Sequence, residues 1–230
     1  ITAVDGVSFS LKKGEILGVI GESGCGKSTA ASLLMRFCDA AAGHIYMDGK
    51  DYHSMKPEEL RKHIAMVPQQ VNLFSGTIRE NLLLADPDAD DQTLMEAVKE
   101  AGLLKFVQSL EKGLNSDVGN AGASLSGGQR QKIGIARALL SKAEYMIFDE
   151  ATSSVDPESE KEIWETIGHL AHTRTLIIIS HRMSSVRGAD CIYVLKDGRV
   201  AQQGDHETLM AQDGLYHELV IRQQAMEVAE

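Results

Sequence analysis

The chain has 230 residues, of which 43% are hydrophobic and 24% charged, and this suits one globular domain with a sizeable core. Its formal net charge of −10 argues against nucleic acid as a partner, because surfaces that bind nucleic acid are usually basic. The three cysteines lack the spacing of a metal site, which favours reduced thiols, and no apolar run is long enough to cross a membrane.

Strand-like and helix-like patterns alternate along the first third of the chain, which predicts an α/β fold with a largely parallel sheet. A short apolar run at residues 16–20 predicts a buried strand. A glycine-rich turn follows it and leads into a helix over residues 27–37. Further strands are predicted at residues 45–47 and 64–67.

The middle third is predicted to be mostly helical, from residue 77 to residue 140, and so to form a helical insertion in the α/β core. Strands are then predicted at residues 145–148, 175–179 and 191–195. The pair Asp197 and Gly198 predicts a hairpin turn into a strand at residues 199–201, and the tail over residues 215–226 is predicted to be helical.

A phosphate-binding loop is predicted after the first strand, because residues 21–28 match the complete pattern G-x-x-x-x-G-K-[ST] between a strand and a helix. Glycines let successive backbone N–H groups face phosphate, and the helix adds its positive end. Lys27 is expected to reach the β- and γ-phosphates of ATP, and Ser28 to ligate Mg²⁺. An ordinary glycine-rich turn is the alternative, which the full match disfavours.

Cys25 is interpreted as a tolerated small residue, with a redox switch as the alternative. The predicted ATP-binding residues are Gly21, Glu22, Ser23, Gly24, Cys25, Gly26, Lys27, Ser28 and Thr29.

Two carboxylates follow the apolar strand at residues 145–148. Asp149, at the end of a buried strand beside a phosphate loop, is suited to hold Mg²⁺. Glu150 is suited to polarise an attacking water as a general base. An acidic turn after a strand is the ordinary alternative, and the upstream phosphate loop disfavours it.

A third motif, Leu-Ser-Gly-Gly-Gln at residues 125–129, precedes a predicted helix and matches the signature sequence of ABC transporter ATPases. The chain resembles that family over nearly its whole length. Other family motifs follow in the expected order: Gln69 matches the Q-loop glutamine, and His181 matches the switch histidine. Residues 154–156, Ser-Val-Asp, match the D-loop, with Val155 where alanine is more usual.

The resemblance implies a P-loop NTPase (RecA-like) core with an antiparallel β subdomain and an inserted α-helical subdomain. It implies a single ATPase domain over residues 1–230. Residues 1–75 and 141–230 would form the core with the β subdomain. Residues 76–140 would form the helical subdomain, which ends in the signature helix.

Roles for individual residues follow from the resemblance. The implied catalytic residues are Glu150, His181 and Gln69, and the implied Mg²⁺ ligands are Ser28, Gln69 and Asp149. The implied signature residues are Leu125, Ser126, Gly127, Gly128 and Gln129, and Asp156 is the D-loop residue. Ser126 is expected at a helix N-terminus, where a hydroxyl and free N–H groups bind an anion. In the family the signature of one domain covers the ATP of a second, so a head-to-tail pair of ABC ATPase domains is expected, as homodimer or heterodimer.

The exporter branch of the family is favoured by residues 72–82 and 180–186. In that branch the ATPase is commonly fused behind a transmembrane domain, so such a domain is expected upstream, with the ATPase on the cytoplasmic side of the membrane. Residues 117–120 depart from the exporter pattern, and residues 4–25 also resemble peptide importers. An importer subunit, a non-transport ABC ATPase and a catalytically inactive module therefore stay as alternatives.

Two expectations concern residues outside these motifs. The aromatic residue on which adenine stacks in the family is expected before Ile1, so ATP binding by residues 1–230 alone is expected to be weakened. The remaining histidines show no ligand spacing and are interpreted as surface residues: His44, His53, His63, His169, His172, His206 and His217.

Overall fold

The computed structural model describes residues 4–153, 155–171 and 173–229, with side chains to residue 226. Its strands are β1 (Ile16–Gly21), β2 (Tyr46–Met47), β3 (Lys50–Asp51), β4 (Ile64–Val67), β5 (Tyr145–Asp149), β6 (Thr175–Ser180), β7 (Cys191–Lys196) and β8 (Arg199–Gly204). Its α-helices are α1 (Lys27–Leu34), α2 (Pro57–His63), α3 (Ile78–Leu83), α4 (Asp91–Glu100), α5 (Leu104–Ser109), α6 (Gly127–Leu140), α7 (Pro157–Leu170), α8 (His206–Ala211) and α9 (Leu215–Ala229).

Within the described residues, six strands form the central sheet, in the order β4-β5-β6-β1-β7-β8. All neighbours pair in parallel except β7 and β8, which form an antiparallel hairpin. Ile179 in β6 lies in register with Val19 of β1 and with Asp149 of β5. The carboxyl ends of these three strands therefore meet at one edge of the sheet.

Both faces of the sheet are covered over the five parallel strands, which explains why β1, β4, β5, β6 and β7 are mostly apolar. Side chains alternate between the faces, so Met146 and Phe148 pack into one core with α6 and α7. Ile147, between them, packs into the opposite core with Ala31 of α1. Every residue of β6 is buried. This layered arrangement packs the strands firmly between two cores, beneath the loops that follow their ends.

The helical stretch between β4 and β5 is anchored by a buried polar contact. Asn81 in α3 is 1% exposed, and its Nδ2 donates to the carbonyl oxygens of Phe74 and Thr77, both at 2.9 Å. Its Oδ1 accepts hydrogen bonds from the Phe74 amide at 2.9 Å and from Arg137 Nη2 of α6 at 2.6 Å. One side chain thereby joins the segment after β4 to α3 and α6.

Most predicted elements are found, with differences at their ends. Helix α1 ends at Leu34 rather than at residue 37, because Arg36 adopts a left-handed φ of 50° that no α-helix continues. The predicted strand at residues 45–47 begins at Tyr46, and β8 runs three residues beyond its predicted end to Gly204. The antiparallel β portion is small: β2 and β3 contribute two residues each.

Within the described residues no helix combines the length and the apolar character needed to cross a membrane. The helices α3 to α6 all lie between β4 and β5, where an insertion was expected. The subdomain boundaries at residues 75 and 140 stay a prediction.

We expect Asn81→Ala to lower the free energy of unfolding by about 2–4 kcal/mol, because it leaves buried amide, carbonyl and guanidinium groups without their partner. Urea denaturation followed by circular dichroism measures this. Gln92→Ala, which removes only an exposed contact to Glu96 at 2.9 Å, is the control and should change it by less than about 0.5 kcal/mol. A loss below about 1 kcal/mol for Asn81→Ala would show that this contact does not anchor the helices.

Candidate nucleotide site

The loop between β1 and α1 is a tight curl that only glycine permits at its start. Gly21 has a φ of 153°, and a Cβ there would lie 2.3 Å from the carbonyl oxygen of Leu195. Gly24 and Gly26 also adopt positive φ values, of 83° and 105°. The amide of Gly198, in the β7–β8 turn, donates to the Cys25 carbonyl at 3.1 Å and supports the loop from the side.

Lys27 places its ammonium group inside this curl. The side chain is buried, and Nζ donates to the carbonyl oxygens of Gly21 at 2.6 Å and Glu22 at 3.0 Å. Lys27 is also the first residue of α1, so the charge lies beside the positive end of a helix. A chain of net charge −10 thus presents a local site for an anion.

The other loop residues surround this position. Cys25 is buried, with Sγ 3.8 Å from Lys27 Nζ. Thr29 is half-buried. Exposed members of the loop and of the first turn of α1 are Glu22, Ser23, Gly24 and Ser28. Glu22 forms an ion pair of 2.9 Å with Arg222 of α9.

Asp149 ends β5 with a half-buried carboxylate, one oxygen of which lacks a hydrogen-bond donor. Its Oδ1 is buried and, within the described residues, has no hydrogen-bond partner. Burial raises the pKa of Asp149, Glu150 raises it further, and the Lys27 ammonium opposes both. A buried carboxylate oxygen without a donor is costly, and a divalent cation is one group that satisfies it. The residues present therefore fit a Mg²⁺ ion.

Glu150 and His181 lie side by side at the same sheet edge. Glu150 adopts a left-handed φ of 48°, which is uncommon for a residue with a side chain, and its amide donates to the Ile179 carbonyl at 2.8 Å. This conformation directs the carboxylate toward the residue after β6. Glu150 Oε2 lies 3.3 Å from His181 Nδ1, and the His181 side chain is 46% exposed.

Gln69 joins this edge from the loop after β4. Its side chain is exposed, and Nε2 donates to Ser153 Oγ at 3.0 Å, three residues beyond Glu150. The neighbouring Pro68 carbonyl accepts a hydrogen bond of 3.1 Å from Gln131 of α6. The loop therefore contacts both the segment after β5 and the signature helix.

The signature residues form the capped N-terminus of α6. Ser126 Oγ accepts a hydrogen bond from the Gln129 amide at 3.2 Å, and Gln129 Oε1 accepts one from the Ser126 amide at 2.9 Å, which is a capping box. Gly128 packs so closely on α7 that a Cβ would lie 2.5 Å from Ser159 Cβ. Leu125 is buried, Gly127 is half-buried, and Ser126 is exposed.

The structure does not bring the signature and the phosphate loop together. Among the described residues, no hydrogen bond or ion pair joins residues 125–129 to residues 21–29. Asp156 of the D-loop caps α7, its Oδ1 accepting from the Ser159 amide at 2.9 Å. Ser154 of the same motif lies outside the described residues.

Four contacts of this site lie beyond the sequence motifs. Ser153 binds Gln69, and Gly198 supports the loop. Arg182, next to the switch histidine, forms an ion pair with Glu160 of α7, which also accepts a hydrogen bond of 3.0 Å from Thr152. Each partner is distant in sequence, so only the fold reveals the contact.

Comparison with known proteins agrees with the motifs. The family model described as ABC transporter matches residues 4–153. The chain is 43% identical over 217 residues to the ATP-dependent lipid A-core flippase 1 of Colwellia psychrerythraea, covering 94% of this chain and 36% of that protein. It is 42% identical over 217 residues to the ABC multidrug transporter mdr1 of Aspergillus fumigatus, covering 94% of this chain and 16% of that protein.

A solved structure is similar as well. The structure of a bacterial Atm1-family ABC exporter with ATP bound superposes with a TM-score of 0.90 at 39% identity, over 96% of this chain and 39% of that chain. The chain thus spans well under half of the length of each of these relatives.

We expect Asp149→Asn to raise the melting temperature of the metal-free, nucleotide-free chain at pH 7.5 by about 2–4 °C, because it removes the charge from a half-buried carboxylate whose buried Oδ1 has no donor. Folding raises the pKa of Asp149. The ionised wild-type carboxylate therefore destabilises the folded chain above that pKa, and this effect disappears once the carboxylate is protonated. The difference should therefore shrink as the pH falls through the range in which Asp149 protonates.

Differential scanning calorimetry in a chelating buffer measures this difference. Asp190→Asn is the matched control, because the Asp190 carboxylate accepts a hydrogen bond from the Ile16 amide at 2.7 Å. Neutralising this carboxylate should not raise the melting temperature. A lower melting temperature for Asp149→Asn under these conditions would contradict the account of the Asp149 site.

Proposed function

The chain belongs to the ABC transporter family, as an ATPase domain, and from this premise we propose that it is the ATP-hydrolysing motor of an exporter. The relatives named above are a flippase, a multidrug transporter and an exporter, and each is much longer than this chain. We propose that the whole protein likewise includes a transmembrane domain, and that the motor works at the cytoplasmic side of the membrane. The observation that carries the proposal is the meeting of Lys27, Asp149, Glu150 and His181 at one sheet edge.

ATP binding rests on charge and on backbone donors. The Lys27 ammonium and the N-terminus of α1 attract the phosphates, and the glycine curl lets the backbone approach them. We propose that Asp149, Ser28 and Gln69 hold Mg²⁺. When bound, the ion neutralises phosphate charge in the transition state. The buried Oδ1 of Asp149 supports this assignment.

Hydrolysis would use the carboxylate and imidazole pair. Glu150 accepts a proton from water as the water oxygen bonds to the γ-phosphorus and the bond to the ADP oxygen breaks. His181, 3.3 Å from Glu150 Oε2, steadies this carboxylate and presents its other ring nitrogen to the γ-phosphate. The constrained backbone of Glu150 fixes the direction of its carboxylate in advance.

The signature supports a two-domain mechanism. Ser126 and the N-terminus of α6 form an exposed anion site that makes no hydrogen bond to the phosphate loop within the described residues. A second ATPase domain, arranged head to tail, would supply the phosphate, and each ATP would lie between two domains. We propose that closure of this pair, reversed by hydrolysis, drives transport.

Glu150→Gln tests the proposal. The variant keeps the shape of the side chain but loses the base, so turnover should fall by about 100-fold or more while ATP binding stays within about threefold. With Mg·ATP the variant should accumulate as a dimer. Steady-state phosphate release, equilibrium binding and light-scattering mass measure these quantities.

Glu165→Gln is the matched control, because Glu165 is an exposed glutamate of α7 outside the site. It should hydrolyse ATP at the wild-type rate and should not accumulate as a dimer. Wild-type turnover by Glu150→Gln would overturn the proposed base.

A further inference from the structure

Hairpin β2–β3 and the turn after it bring together three side chains of types that commonly bind metal ions, although these residues are separated in the sequence. His44 precedes β2, Asp51 ends β3, and His53 lies in the 3₁₀ turn Tyr52–Ser54. One ligand atom from each of the three lies within 4.8 Å of the others. His44 and His53 are exposed, as expected of surface residues, and the hairpin folds these two positions, nine residues apart, onto one carboxylate.

Asp51 bridges the two imidazole rings. Its Oδ2 lies 2.7 Å from His44 Nδ1, and its Oδ1 lies 3.2 Å from His53 Nδ1. Each of the two carboxylate oxygens therefore faces one imidazole ring. The cluster thus combines two imidazole nitrogens, which are metal ligands of intermediate softness, with one carboxylate oxygen.

Surrounding contacts hold the three side chains in place. Strands β2 and β3 pair Tyr46 with Asp51 in register, and the His44 ring stacks on the Tyr46 ring with centroids 5.9 Å apart. Tyr52, between Asp51 and His53, is buried, and its amide donates to the Ile45 carbonyl at 2.8 Å. Asp51 Oδ1 also accepts the His53 amide at 2.8 Å, which sets the turn. Little ordering of this segment would be needed to bind a ligand.

The types of ligand atom in the cluster indicate which metal ion it would bind. Mg²⁺ and Ca²⁺ prefer six or more oxygen ligands, which this cluster does not offer. Two imidazoles and one carboxylate are a common three-ligand set for Zn²⁺, and a water completes the tetrahedron. As ordinary exposed ion pairs the same contacts would stabilise the chain only slightly.

We propose that His44, Asp51 and His53 form a zinc-binding site on the β2–β3 hairpin. This hairpin supplies none of the residues assigned to the nucleotide site, so the proposal does not depend on the proposed function. A bound ion would cross-link the residues before β2 to those after β3 and so brace the hairpin.

Isothermal titration of the nucleotide-free, metal-stripped 230-residue chain with ZnCl₂ tests the site. The wild type should bind one Zn²⁺ per chain at this cluster. His44→Gln and His53→Gln should each weaken binding by about tenfold or more, because each removes one of three protein ligands. Excess MgCl₂ should not displace the ion.

Controls separate this cluster from other ligands on the chain. His169→Gln removes an exposed histidine of α7, and Cys38→Ser removes an exposed thiol. Both should bind Zn²⁺ as tightly as the wild type. Asp51→Asn should also weaken Zn²⁺ binding. Because it alters the contact between Asp51 and the His53 amide in the turn, its circular dichroism spectrum must match that of the wild type.

Two results would overturn the proposal. One is a wild-type chain that binds no Zn²⁺. The other is undiminished Zn²⁺ affinity in both His44→Gln and His53→Gln. Neither result would affect the ATPase assignment, which is measured separately by the phosphate release of Glu150→Gln.

Discussion

The parallel register of β5, β6 and β1 is the constraint on which the site depends. Asp149, Ile179 and Val19 lie across from one another, so whatever follows each strand reaches the same edge of the sheet. The phosphate loop, the acidic pair and the switch histidine come from three distant parts of the chain. Ligands of open α/β sheets bind at this edge, where the helix N-termini also point.

At this edge the protein retains features that cost folding free energy. Asp149 buries a carboxylate oxygen without a donor, and Glu150 holds a left-handed backbone. The Lys27 ammonium, by contrast, is hydrogen-bonded to the carbonyls of Gly21 and Glu22. A metal ion would give the Asp149 oxygen a partner, and a triphosphate would give the Lys27 ammonium one of opposite charge. The surrounding core, with β6 buried along its whole length, supplies the stability that offsets these costs.

The sequence predicted the strands well because burial on both faces makes them continuous apolar runs, as at residues 145–148 and 175–179. It overestimated α1, because nothing in the local pattern shows that Arg36 turns left-handed. The structure places the glycine loop, Asp149, Glu150 and His181 together, whereas their individual roles stay predictions. The contacts of Gln69 with Ser153 and of His44 with Asp51 join separate segments, so local patterns could not predict them.

The central claim is that two helix N-termini, those of α1 and α6, bind one triphosphate from different copies of the chain. Mixing two inactive variants tests it most directly: Lys27→Ala, which damages the phosphate loop, and Ser126→Glu, which fills the anion site of the signature with a carboxylate. In a head-to-tail pair one of the two sites is then intact, so the mixture should recover up to about a quarter of the wild-type phosphate release. If the mixture is as inactive as either variant alone, while both variants fold and the wild type hydrolyses ATP, the claim is contradicted.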